Sequence, residues 1–444
     1  MLLGLLLRPF CPFALMHRTD CKSTSGGKPD HLTEPMPPMA CPGQAAASDC
    51  QGAVQLYEIE VFDFLSYEHV HLPFNEGYLR VLRAAYPGDR ISFRGVREHI
   101  ERLAAHTTDL ANIKFLPCKS FETPFGVSHH NPVAGRWAAR QCLNVVAKAT
   151  AGRRIRLTAL LGFNASLLGV MSHGWPGLRS APLHMILHGQ LGEAMVWRSR
   201  NPLIRAADFI SQLRRPLPRS ARIVALELGV KETIVEVAPT ISPAVVTLEH
   251  PILRSEWAHH SPAMGTGRLK IGFVGHARRV KGFEVFVQLA SSCSREDIEF
   301  HAIGHSSPET DHLDTTALAR RPSKIPLPRE EYVQALGQLD LVCLPVDGRA
   351  YESTGSGTVS DAVAALKPMI VFRNRTMEAI FARYGAIGWL VDNRDDLFAL
   401  VRTFDPTEFA RQRSIWIDNL KAIRKARSPE ALAKSYAAAV SFSE

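Results

Sequence analysis

No two of the eight cysteines form a CxxC pair, so a structural zinc site is not expected. No run of about eighteen apolar residues occurs, which excludes a transmembrane helix. No motif repeats at a fixed spacing, which argues against a solenoid or propeller. Acidic residues are in deficit: 43 Asp and Glu stand against 52 Lys and Arg, a formal charge of +9. That balance favours an anionic partner (nucleotide, phospholipid or nucleic acid) without choosing among them. The start, MLLGLLLRPF, has no Lys or Arg before its short apolar run, so it makes a poor secretory leader. Apolar residues are not scarce, at 46% of the 444, so wholesale disorder is excluded. A chain of this size needs no disulfide framework, and we expect reduced thiols and a cytoplasmic location.

The composition changes along the chain. Residues 1–50 are rich in Pro, Ser, Gly and Cys, lack periodicity, and read as a disordered or over-extended N-terminus. From VQLYEIEVFDF, apolar strand-like runs alternate with segments whose apolar residues recur three and four apart. This series spans 51–255 and includes LHMILHG and ARIVALELG. A loop rich in small residues, 256–267, precedes a second series over 268–405, and 406–444 read as basic helices packing back across the domains. Alternation of this kind predicts an α/β protein with two Rossmann-like parallel-sheet domains.

In the second series, IGFVGHARRVKGFEVFVQLA, then LDLVCLP, then YESTGSGTVSDAVAALKPMIVF follow one another over residues 271–372. This ordered set resembles the nucleotide-binding half of GT-B glycosyltransferases, in particular the retaining group called family 4. The resemblance implies two domains facing each other across a cleft, with 51–255 binding acceptor and 268–405 binding a nucleotide sugar. It implies that a strand-end Gly, an Arg and a Lys-Gly pair meet the donor diphosphate. Here they correspond to Gly275, Arg278 or Arg279, and Lys281; His276 stands where the family has Arg and, if protonated, would fill that role. The family's carboxylate-x7-carboxylate motif aligns its second acid with Asp361. Its first falls on Ser353, with Glu352 adjacent, so either Glu352 is the candidate catalytic carboxylate, with a one-residue slip, or that position is lost.

The residue chemistry agrees with this reading. A departing nucleoside diphosphate builds negative charge, which a Lys and the N–H groups of a helix start stabilise. Gly355, Ser356 and Gly357 lie at a loop-to-helix junction where backbone amides can approach an anion. Asp361, one turn further, is a candidate ribose acceptor. Each has a structural alternative: a solvated helix start for the cations, an ordinary turn for the glycines. Asp340, before LVCLP, reads as structural.

In the first series, His188 follows the strand LHMIL at the edge where open α/β sheets place their sites, and is a candidate catalytic group. The loop SYEHVHLPFNEGYL offers His71 and Glu76 as acceptor-side candidates; Glu76 reads equally as a helix-start acid. Residues 197–223 carry seven arginines among apolar residues, with Asp208 the only acid. Such a segment can lie on an anionic membrane surface. A solvated face is the alternative; nucleic acid is not favoured, because no recognition module is present.

The implied activity is transfer of a hexose-type sugar from a nucleotide donor to a saccharide or lipid-linked acceptor, with retention, as in bacterial polysaccharide synthesis. The alternatives are a sugar-nucleotide epimerase and an inactive sugar- or nucleotide-binding protein. No Asp-x-Asp occurs, so no metal and no other cofactor is expected; Lys and Arg take the ion's place.

Overall fold

The computed structural model describes residues 56–66, 71–118, 132–172, 182–196, 199–253, 257, 267–346 and 351–440. The expectations for residues 1–50, for most of the 256–267 linker and for Trp197 and Arg198 lie outside the described residues. Met1–Leu56 and Tyr57–Glu444 are two separate units, and every element below belongs to the second.

The first series contributes strands β1 (Glu58–Phe62), β2 (Arg90–Gly95), β3 (Ile113–Pro117), β4 (Ile155–Leu161), β5 (Leu183–Leu187), β6 (Ala221–Ala225) and β7 (Val245–Thr247). Between them run helices α1 (Leu72–Ala85), α2 (Arg97–His106), α3 (Pro132–Thr150), α4 (Ala165–Met171), α5 (Gln190–Val196), α6 (Pro202–Ala206), α7 (Phe209–Leu213) and α8 (Leu228–Val237). The strands form one seven-stranded sheet in the order β3-β2-β1-β4-β5-β6-β7. Every pairing is parallel. Chain direction across the sheet reverses between β1 and β4, which opens a crevice at their C-terminal ends.

The second series gives β8 (Leu269–Val274), α9 (Phe283–Ser292), β9 (Ile298–Ile303), α10 (Arg329–Gly337), β10 (Leu341–Leu344), α11 (Gly357–Ala364), β11 (Met369–Phe372), α12 (Arg375–Tyr384), β12 (Gly388–Val391) and α13 (Arg394–Arg402). Its five strands, again parallel, are ordered β12-β11-β10-β8-β9, with the switch point between β8 and β10. The two Rossmann-like parallel sheets expected from the sequence are both present.

Burial explains the strand runs. All five residues of β5 and all four of β10 are buried, because helices cover both faces of each sheet. One face of the first sheet packs on α3, α4, α5 and α7; the other packs on α1 and α2. In α1, Phe74, Tyr78, Val81 and Leu82 recur at helical spacing and form its buried stripe. Asp340 accepts the Lys270 backbone N–H at 2.9 Å and joins β10 to β8, a structural role.

Three large apolar residues of 197–223 face inward. Phe209, Ile210 and Leu213 lie in the core, and buried Asp208 caps α7 by accepting the Ser211 N–H at 2.7 Å. Arg214 and Arg222 donate to backbone carbonyls nearby. Phe209, Ile210 and Leu213 are therefore not available to a membrane surface, while Arg200, Arg205, Arg214 and Arg219 are exposed.

Two final helices, α14 (Pro406–Ala426) and α15 (Pro429–Val440), join the sheets. α14 places Trp416, Leu420 and Ile423 in the core of the second sheet. α15 places Leu432, Ala433 and Tyr436 in the core of the first. Between them sits Arg427, fully buried. Its guanidinium donates to both oxygens of Glu227 at 2.8 Å and to Glu249 at 3.2 Å. Removing it strands two acids in a low-dielectric setting. We expect Arg427→Met to cost about 3–5 kcal/mol of unfolding free energy, read from denaturant midpoints. A loss below about 1 kcal/mol would show that the carboxylates find other partners.

Candidate active site

On the second sheet the site is built at the end of β8. Gly275 has φ 99°, and a Cβ there would lie 3.1 Å from Thr358 Oγ1 and 3.3 Å from Lys281 Nζ. Only glycine suits that backbone, and its bare face lets the Lys281 ammonium approach. Lys281 sits in a 3-10 turn, Arg279–Lys281, closed by Gly282 at φ 77°. A Cβ on Gly282 would fall 1.7 Å from the Pro345 carbonyl oxygen, so the turn is wedged against the end of β10. Burial, helped by Arg278, lowers the Lys281 pKa to about 8, while Asp361 opposes the shift. Among the described residues the Lys281 ammonium has no hydrogen bond or ion pair.

The neighbouring cations are placed differently. Arg278 reaches Glu309 at 3.4 Å. Arg279 is largely exposed, with Glu284 at 3.5 Å. His276 stacks on His305 with ring centroids 4.0 Å apart. Burial, then His305, Lys281 and Arg278, push its pKa down to about 3. It is therefore neutral, and the reading of a protonated His276 in the Arg role is corrected.

Asp361 is also engaged. One oxygen accepts from Arg329 at 3.0 Å and the other from Tyr332 at 2.8 Å, both on α10. Its part is to position α11 against α10 rather than to stand free for a ribose. Ser356 caps α11 by accepting the Val359 N–H at 3.4 Å, with Gly357 as the first helical residue. Ser353 is buried. Glu352 is exposed, and only its carbonyl is held, by Thr376 at 3.4 Å.

The same loop meets the first sheet. A Cβ on Gly355 would lie 2.8 Å from the Leu226 carbonyl oxygen, and one on Gly189 would lie 3.7 Å from Thr354 Cγ2. Gly189 follows β5 and Leu226 follows β6, so the C-terminal edges of both sheets converge here. Glu227, next in line, has φ 145°, a strained backbone for a residue with a side chain. It lines a small cavity with Tyr351, Thr354, Ser356 and Asn374.

On the first sheet, His188 is buried and stacks on His71, with centroids 4.2 Å apart and planes within 9°. Phe74 meets His188 edge-on at 4.7 Å and His250 at 5.1 Å. Burial, then His71 and His250, hold the His188 pKa well below its ordinary value. The pKa of His250 is lowered to about 4, mainly by burial. Buried His188 Nε2 and His250 Nδ1 lack hydrogen-bond partners among the described residues. His71 occupies the left-handed region at φ 57°. Asp63 shapes the loop leading to it, accepting from Leu65 N, Ser66 N and Asn75 Nδ2 at 3.1, 2.9 and 2.6 Å.

Glu76 is elsewhere. It pairs with Arg80 at 3.0 Å, one turn along α1, and with His106 at 3.6 Å. It is buried, and both partners engage it within the first domain. Among the described residues no group of three or more His, Cys, Asp or Glu is arranged to hold a metal ion. Nor is any helix there long and apolar enough to cross a membrane.

No protein-family profile and no curated protein matches this sequence. Solved structures do match. Anabaena HepE in complex with UDP superposes with a TM-score of 0.57 at 11% identity, covering 86% of this chain and 98% of that one. WaaG, a glycosyltransferase involved in lipopolysaccharide biosynthesis, gives 0.57 at 11%, covering 87% and 100%. The UDP-forming trehalose-phosphate synthase of Burkholderia vietnamiensis gives 0.57 at 10%, covering 87% and 98%. The fold is GT-B. In this GT-B chain the neutral histidines lie on the N-terminal sheet and Lys281 on the C-terminal one.

The buried histidines make stability acid-sensitive. His184, with a pKa lowered to about 3 by burial and then Arg222, belongs with His188 and His250. The unfolded chain takes up a proton on each below about pH 6.5, and the folded chain does not. Their stability is intact above that pH and is lost as pH falls from 6.5 towards 4. The loss is roughly 2 kcal/mol per fully buried histidine at pH 5. His188→Asn should flatten the unfolding free energy against pH by about one proton. An unchanged slope would mean that His188 titrates normally.

Proposed function

We propose that this protein is a glycosyltransferase that moves a hexose-type sugar from a nucleotide-sugar donor to a saccharide or lipid-linked acceptor. The observation carrying the proposal is the half-buried Lys281 ammonium, 3.3 Å from where a Cβ on Gly275 would lie and without a hydrogen bond or ion pair among the described residues. A partly desolvated cation of this kind suits an anion that arrives with the ligand. Structures sharing this fold were solved with UDP and with UDP-glucose, which supports a nucleotide donor.

In the reaction, the bond between the sugar's anomeric carbon and the phosphate oxygen breaks, and the nucleoside diphosphate leaves with the electron pair. Lys281 and the N–H groups at the start of α11 stabilise that charge. The acceptor oxygen forms the new bond, and its proton passes to the departing phosphate, which gives retention without a protein nucleophile. His188, neutral and with Nε2 free to bond, orients a hydroxyl of sugar or acceptor from the opposite side. Lys281 carries the charge that a divalent ion would otherwise carry, so chelators should leave turnover intact.

One observation favours a second reading, a nucleotide-sugar-binding protein without turnover: Glu352 is exposed and Asp361 is already engaged by α10. Nucleotide release in the presence of acceptor separates the two.

Calorimetry with a panel of UDP-, GDP- and ADP-sugars tests the donor site. One nucleotide should bind selectively, and Lys281→Ala should weaken it about 10–100-fold, the worth of one charge-assisted hydrogen bond. Because the Lys281 pKa is about 8 and the anion needs the protonated form, affinity should fall about tenfold per pH unit above 8. Lys281→Arg should abolish that dependence. If no nucleotide sugar binds, the transferase proposal is wrong.

A further inference from the structure

Helix α3 divides sharply between its two sides. Ala138, Ala139, Cys142, Leu143 and Val146 are buried in the core of the first sheet. The outward side shows Val133 at 78% exposure and Trp137 at 63%, together with exposed Arg136, Arg140 and Lys148. At about 100° per residue, these five positions fall within roughly a third of the helix circumference. They form one continuous stripe.

This stripe is poorly explained by stability. An exposed Trp gains nothing from the hydrophobic effect. The cations have no acidic neighbour on their own helix, since 132–150 contains neither Asp nor Glu. Among the described residues none of the three makes an ion pair. The topology also locates it. α3 leads into β4 and runs back along it, so its first turns lie at the C-terminal edge of the sheet, where His71 and His188 sit.

We propose that the outward face of α3 docks this domain on an anionic lipid surface. A headgroup layer offers what the stripe complements: negative charge for Arg136, Arg140 and Lys148, and an interfacial zone for an amphipathic indole. Two apolar side chains are too few for the core of a stable protein–protein interface, which spans about 1,000 Å² or more. A lipid surface needs no such core. The docking edge is the cleft edge, so an acceptor held in the membrane would be presented to the site. The docking itself does not rest on the transferase reading, because it is measured without donor or acceptor.

The test uses the full chain with vesicles of phosphatidylcholine, with and without phosphatidylglycerol. We expect binding only to the anionic vesicles, and loss of that binding at high salt. Each Lys or Arg near such a surface contributes about 1 kcal/mol, so Arg136→Ala/Arg140→Ala should weaken partitioning about 30-fold. Trp137→Ser should weaken it as well. Both variants should keep the wild-type melting temperature, since the replaced side chains are exposed. Equal binding to both vesicle types, or variants that bind like the wild type, overturns the proposal. Variants that alter self-association but not vesicle binding place a second copy on this face, and overturn it too.

Discussion

Arg427 holds the two halves of this protein at one point. It lies 200 residues along the chain from Glu227 and 178 from Glu249, yet touches both. The chain returns to the first sheet directly after it, and its carbonyl accepts the Ile252 N–H at 2.9 Å, tying down the end of the first half. Arg383 and Tyr384, on the second half, also reach Glu249. The charges are arranged as two acids between two guanidiniums, so neither buried carboxylate is left to water that is not there. A buried network of this kind is all or nothing: complete, it fixes one arrangement, and incomplete, it destabilises both partners.

The site inherits that constraint. Glu227 keeps its unfavourable backbone at φ 145° while both oxygens of its carboxylate are held by the one Arg427 guanidinium. Strain of that order, about 1–3 kcal/mol, persists only where surrounding contacts over-determine it. Leu226, one residue earlier, has its carbonyl close enough to exclude any side chain at position 355. The loop before α11 is thereby set against the first sheet. The spacing between Lys281 on one edge and His188 on the other follows from an ion pair that belongs to neither.

Much of this architecture was legible in the sequence, and the parts that were not share a cause. The strands LHMIL and LVCL announce themselves as short unbroken apolar runs, because both faces of a parallel strand are covered. Gly275 and Lys281 could be singled out because the turn that brings them together is local. The pairing of Glu76 with Arg80 was also within reach of the sequence, since Arg80 stands four residues on, a spacing that brings the two side chains together on a helix. Asp361 could not be read correctly, since its partners Arg329 and Tyr332 come from another helix. The same holds for His71 on His188, Asp63 on Asn75, and Arg427 on Glu227. A side chain's pairing across the fold leaves no periodicity to detect.

The two edges of the cleft are built on opposite electrostatic plans. On the second sheet, the contacts around Lys281 are made by backbone. A Cβ on Gly304 would lie 2.0 Å from the Gly275 carbonyl oxygen, and Gly282 abuts Pro345, so the β8 and β10 ends cannot relax around the ammonium. A charge held this rigidly is pre-organised and needs no reorganisation when an anion arrives. On the first sheet the polar groups are neutral imidazoles, kept so by burial and by one another. Neutral donors and acceptors discriminate hydroxyl patterns without competing for the anion. On the proposed reading the division of labour follows from burial: the phosphate end of a ligand would be drawn to the cation, and its uncharged end left to the face that can only exchange hydrogen bonds.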